Sequence, residues 1–207
     1  MSRAGHALRT LAALLVFSAP LLAQDPRLRA RLDPTTFVAV SAIVDSARIA
    51  KLPTAPLVDK ALEGAAKGSD GAKIVVAVKQ LSVRMGSARR VLGSSAPADE
   101  IKAAAGAMDS GLSVRDLARL HAAGRQRSLV MPLAVVSDLI GQSIPLPTVT
   151  DLVLQLVKAR VSDRDLSLLQ RNVRTDVERG GDPTVAATTR VRGLLVRSTG
   201  TRGKPAE

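Results

Sequence analysis

His121 is the first residue to weigh for chemistry, because the 207-residue chain holds only two histidines and no cysteine. It stands in Leu117-Ala118-Arg119-Leu120-His121-Ala122-Ala123-Gly124, near the end of a helical pattern, where a cation suits the negative end of the helix dipole. A histidine base needs an orienting carboxylate and a nucleophile within hydrogen-bond reach, and no local motif supplies them. Without cysteine there is no thiolate nucleophile and no disulfide, and zinc sites ask for several His or Cys ligands. Asp163 and Asp165 form an Asp-x-Asp pair, but neither the glycine nor the closing glutamate of a calcium loop follows; helix capping accounts for both. Asp138 interrupts the apolar run Val135-Val136-Ser137-Asp138-Leu139-Ile140, where a carboxylate is either buried and perturbed or a repeat position that is partnered or exposed. Asp-Leu pairs also stand at positions 116, 151 and 165, which favours the repeat position, partnered or exposed. No phosphate loop, nucleophile elbow or dinucleotide fingerprint is present. The expectation is a protein without cofactor, metal or catalytic residues; an unrecognised carboxylate hydrolase is the weakest alternative.

Charge offers a second kind of chemistry. Thirty Lys and Arg face eighteen Asp and Glu, a formal net charge of +12. Such an excess attracts anionic lipid, polysaccharide or nucleic acid. The chain has two aromatic residues, Phe17 and Phe37, and no Trp or Tyr, so it lacks the stacking platforms that single-stranded nucleic acid requires. Arg84, Arg89 and Arg90 lie opposite the apolar seam of the longest helical pattern, and Arg125 and Arg127 flank a later turn. These five are the candidate surface for an anionic partner. A solvated charged face is the competing reading.

The elements that would position these residues are legible in one stretch, Ile144 to Leu169. Val149, Leu152, Val153, Leu156 and Val157 recur at helical spacing and predict one buried stripe. Pro145 and Pro147 precede it, where a missing N–H costs little. Val161-Ser162-Asp163-Arg164-Asp165-Leu166 then reads as a capping box with Asp in place of Glu, framed by a hydrophobic staple. Leu112-Ser113-Val114-Arg115-Asp116-Leu117 carries the same signature, and Leu52-Pro53 through Leu62 echoes Ile144-Pro145 through Leu154. Matched roles at separate places indicate a repeated helical unit.

Taken from its start, the chain opens with Arg3 and Arg9, an apolar core from Leu11 to Phe17, and Pro20-Leu21-Leu22-Ala23. That is the form of a secretory signal cut after Ala23, since spanning a bilayer takes ~20 apolar residues. Residues 24–32 read as a mobile, Arg-rich lead-in. Asp33-Pro34 starts a helix carrying Phe37, Val40, Val44 and Ala47. Leu57, Val58, Ala61, Leu62 and Ala65 mark the next. Ile74, Val78, Leu81, Met85, Ala88 and Leu92 form a coiled-coil-like seam in the longest. Ile101, Ala104, Ala105 and Met108 follow, then the capped helix from Ser113, an apolar helix from about Ser128 to Ile140, the unit described above, and a last helix from Asp182-Pro183 with Ala187, Val191, Leu194 and Leu195.

The expected fold is all-α, with about eight short antiparallel helices in a helix-pair, solenoid-like repeat or an irregular bundle. Residues 33–197 form its single domain and 198–207 a disordered tail. Helix pairs recur every ~32–34 residues, the range of helix-pair solenoids. Solenoids present extended surfaces to other proteins. The expected function is therefore that of an exported, non-enzymatic scaffold or adaptor in the cell envelope, periplasmic or extracellular, whose partner is another envelope protein. The alternative is a basic envelope protein binding anionic polymer or lipid. No nucleic acid and no transmembrane segment are expected in the mature chain.

Overall fold

A computed structural model describes residues 25–124 and 127–200, the last two by backbone only. The expected signal peptide, Gln24, Arg125 and the tail from 201 lie outside the described residues. Among the described residues ten helices follow one another: α1 Pro26–Arg31, α2 Pro34–Ile49, α3 Ala55–Ala66, α4 Gly71–Leu92, α5 Ala98–Asp109, α6 Val114–Ala123, α7 Val130–Gly141, α8 Leu146–Lys158, α9 Asp163–Glu178 and α10 Pro183–Gly200. Among the described residues there is no strand. The fold is all-helical, as the apolar spacing predicts.

The helices stack as pairs in two layers. α1 packs on α2, α3 on α4, α7 on α8 and α9 on α10. Between pairs, each even-numbered helix packs on the next, from α2 through α4, α6 and α8 to α10. The odd layer runs from α1 to α3 and again from α5 through α7 to α9, while α5 also leans on α4. One apolar core threads the stack. Val40, Val78, Met85, Leu117, Leu133 and Val153 are wholly buried in it. The seam of α4 is buried at Ile74, Val78, Met85, Ala88 and Leu92, and every member of the α8 stripe is buried. α7 is covered by α5, α8 and α9, which is why its sequence is apolar nearly all round. With so few aromatics, helices pack closely: a Cβ on Gly64 would sit 2.8 Å from Ile74 Cγ1.

The helix ends explain the repeat. Ser113 and Ser162 cap α6 and α9, their hydroxyl oxygens accepting from the N–H of Asp116 at 3.0 Å and of Asp165 at 3.2 Å. Each Asp carboxylate accepts in return from the serine hydroxyl itself, at 2.7 and 2.6 Å. A glutamate would reach the cap residue's N–H; aspartate is one methylene shorter and stops at the hydroxyl. Six helices, α2, α3, α5, α7, α8 and α9, close with the same pair of backbone bonds, as in Val161 N–H to Leu156 O and Arg160 N–H to Val157 O. That is the Schellman closure, which places the residue after the cap in the left-handed region. Glycine takes it at Gly68, Gly111 and Gly180, but Lys51, Ser143 and Arg160 hold it at φ 56°, 65° and 57°.

Some boundaries differ from the expectation. The lead-in contains α1, capped by Asp25, with Leu28 fully buried and Arg29 lying 5.2 Å over the Phe37 ring. Its single buried side chain gives no periodicity to read. α7 begins at Val130 rather than Ser128, with Pro132 still in its first turn, and α8 begins at Leu146, so Pro147 lies within the helix start. α10 continues to Gly200, three residues past the expected domain end.

Candidate functional site

The break in the odd layer makes a groove. α3 and α5 both pack on α4 from the same layer, and the gap between them has a volume of about 480 Å³. Ala77, Gln80, Leu81 and Arg84 of α4 form its floor, Pro56, Asp59, Lys60 and Glu63 one wall, and Lys102, Gly106 and Asp109 the other. Leu81 belongs to the seam by spacing, yet it is only half-buried because no helix covers it here. A floor that is apolar at Ala77 and Leu81, with a rim of both signs, suits a polypeptide of mixed charge better than a uniformly charged polymer.

Electrostatics on the rim are local. Lys60 Nζ lies 3.1 Å from Glu63 Oε2, and Lys67 holds the other oxygen. Hydrogen bonds first from Lys67 and then from Lys60 hold the Glu63 carboxyl below its ordinary pKa. Arg84 crosses from the floor to Asp109, 2.9 Å away. Lys102 has no ion-pair partner among the described residues and is exposed, so it is the cation most available to a ligand.

The other candidate arginines are spent on carbonyls and neighbours. Arg89 donates to Lys51 O and, at 3.1 Å, to Ser94 O, tying the turn after α2 to the end of α4. Arg90 donates to Ser87 Oγ at 2.9 Å. Arg127 donates to Val161 O at 3.3 Å, across from the turn between α8 and α9. Arg84, Arg89, Arg90 and Arg127 are thus each engaged with different partners within the chain. Arg125 lies outside the described residues.

The residues flagged for chemistry are also placed. Asp138 on α7 accepts from Arg174 of α9 at 2.7 Å and from Gln142 at 3.0 Å. It is a partnered carboxylate that ties one helix pair to the next. His121 sits half-buried in the last turn of α6. Asp163 and Asp165 lie in the first turn of α9, where negative charge suits the dipole. Among the described residues no group of three His, Cys, Asp or Glu is placed to hold a metal ion, and no helix is long and apolar enough to cross a membrane.

One interaction had no signal in the sequence. Glu100, in the first turn of α5, is buried to 9% exposure, and its Oε1 accepts from the N–H of Leu129 at 2.7 Å. Leu129 is the cap residue of α7 and has no side-chain oxygen to offer. The carboxylate therefore caps a helix that begins 29 residues later and locks the α5–α7 contact. By spacing alone, Glu100 is only an acid at a helix start.

The chain matches no protein-family model, no curated protein and no solved structure.

Proposed function

We propose that the chain is a non-enzymatic, exported helical-repeat protein that acts as a protein-interaction scaffold or adaptor in the cell envelope. The observation that carries this reading is the groove between α3 and α5: open, apolar along its floor at Ala77 and Leu81, and bordered by both signs of charge. A segment of a partner protein can place an apolar side chain on Leu81 and set acidic and basic groups against Lys102 and Asp59. The same feature supports the scaffold over the binder of anionic polymer or lipid, because four of the five candidate arginines are engaged within the chain. Export rests on the leader-like first 23 residues.

A photo-crosslinking residue in place of Leu81 tests the reading. In a cell-envelope preparation it should capture a discrete protein, and Lys102→Glu together with Gly106→Arg should abolish capture without unfolding the chain. A crosslinker at Ser167 on α9 should not capture that protein. Capture that ignores the groove substitutions would overturn the scaffold reading. Binding to anionic vesicles that vanishes with salt would favour the alternative. Mass spectrometry of the native protein should find its first residue at or near Gln24.

A further inference from the structure

The two ends of the stack carry matching faces. α2 buries Phe37, Val40, Val44 and Ala47 against the rest of the fold, mainly α4. On its opposite side stand Val38, Ala42, Asp45 and Ile49, with Val38 and Ile49 at 66% and 79% exposure. α10 buries Ala186, Ala187, Val191 and Leu194. Opposite them stand Val185, Thr189, Arg192 and Val196, with Val185 and Val196 at 63% and 66% exposure. Both faces read aliphatic, small, charged, aliphatic at i, i+4, i+7 and i+11. The charge is opposite on the two: an aspartate on α2 and an arginine on α10. Asp45 is held by Arg48 on its own helix, while Arg192 has no ion-pair partner among the described residues.

Terminal repeats of a helix stack stay soluble by presenting a polar outer face. These two present a branched aliphatic at each end and one charge in the middle, in a chain of net charge +12, where copies repel unless a near-neutral face meets its complement. The even layer also shows what fits such a face. Within the chain each even helix is covered by the next even helix, and because short turns reverse the direction at every step, helices two apart run parallel. A parallel approach of α2 from one copy to α10 of another sets Val38 by Val185, Asp45 by Arg192 and Ile49 by Val196.

We propose that copies of this chain stack end to end, α10 of one against α2 of the next, continuing the even layer across the junction. The contact is heterologous, so each copy keeps one free end and chains of more than two can grow. One face of two helices is small by the standard of stable interfaces, which places the association among the weak, concentration-dependent ones. The groove between α3 and α5 takes no part, so the inference stands or falls apart from the scaffold reading.

Sedimentation of the purified full chain over a range of concentrations tests it. The parent should rise from monomer mass through dimer to larger species. Val38→Glu and Val185→Glu each add a charge to one exposed face, and each alone should sediment as monomer with an unchanged far-UV spectrum. Mixed, the two should form a dimer that grows no further, because Val38→Glu keeps an intact α10 face and Val185→Glu an intact α2 face. Asp45→Lys should weaken association by about tenfold, and adding Arg192→Glu to the same chain should restore it. A parent that stays monomeric throughout would overturn the proposal. So would either single variant that still associates, since that requires like faces to pair, or a mixture that stays monomeric.

Discussion

Glu100 joins two repeats through one buried hydrogen bond, and removing it should cost more than its place in a helix's first turn suggests. Glu100→Ala leaves the N–H of Leu129 without its acceptor at a residue only 1% exposed. A hydrogen bond to a charged group contributes ~1.5–3 kcal/mol, and an anion at a helix N-terminus adds ~0.3–1 kcal/mol. The expected loss is therefore about 2–4 kcal/mol. Glu100→Gln keeps a carbonyl oxygen for the bond and gives up only the charge, so it should lose about 1 kcal/mol by the same reckoning. Urea unfolding followed by far-UV circular dichroism is the assay, because a chain with no Trp or Tyr offers no useful intrinsic fluorescence. Amide exchange supplies the local readout: the Leu129 N–H should exchange faster in Glu100→Ala, and that of Leu117, in the neighbouring α6, should change far less. An alanine variant within 0.5 kcal/mol of the parent, on the scale of an ordinary surface substitution, would refute the capping role. A glutamine variant as damaging as alanine would show that the charge, rather than the bond, holds the repeats together.

Three further outcomes follow from the helix ends and the core. Arg160 sits in the left-handed region at φ 57°, where a Cβ costs ~1–2 kcal/mol; Arg160→Gly should raise stability by about 1 kcal/mol in the same urea assay, after allowance for glycine's greater unfolded-state entropy. Leu156, 1% exposed at the centre of the α8 stripe, should cost ~2–5 kcal/mol when cut to alanine, and a neutral result would mean that stripe is not core. Asp176 is held below its ordinary pKa chiefly by its hydrogen bond from Arg190. A depressed carboxylate stabilises the fold above the unfolded value and loses that contribution as pH falls through the folded one, so the α9–α10 tie should weaken below about pH 4. Carbon-detected titration of the Asp176 carboxyl should show the depressed midpoint, and Arg190→Gln should return it upward.

Elements governed by near neighbours in sequence were legible. The α8 stripe, the seam of α4 and the serine caps of α6 and α9 each depend on residues within a turn or two, so periodicity and capping chemistry expose them. The Schellman ends were half legible: glycine at positions 68, 111 and 180 announces the left-handed residue, while Lys51, Ser143 and Arg160 adopt it without any such signal. α1 escaped because six residues with one buried leucine have no period. The groove escaped for a different reason. It exists because α3 and α5 leave α4's Leu81 uncovered, and which helices touch is decided by stacking, not by the pattern along any one of them. Glu100 and Leu129 illustrate the same limit at a single bond. The five arginines stood out by charge and spacing, yet a carbonyl that accepts from one of them, such as Val161 O for Arg127, lies 34 residues away.

The helix-pair stack, and the end-to-end association built on it, require α1/α2 and α9/α10 ends that are far apart. The absence of native cysteine makes that directly measurable. Ala42→Cys on α2 and Thr189→Cys on α10 place two spin labels on exposed positions of the opposite ends, with singly labelled chains as the control for contacts between copies. From α2 to α10 the even layer takes four helix-to-helix steps, each of ~8–10 Å. Both labels stand on outward faces, so each adds a further ~5–6 Å, half a helix diameter with side chains. Pulsed dipolar spectroscopy should therefore report a principal distance within one chain of about 40–50 Å, shortened modestly if the stack curves. A principal distance below ~20 Å would mean that α2 and α10 lie within two helix spacings of each other. The molecule would then be a closed bundle, without the two separated, unlike ends described above.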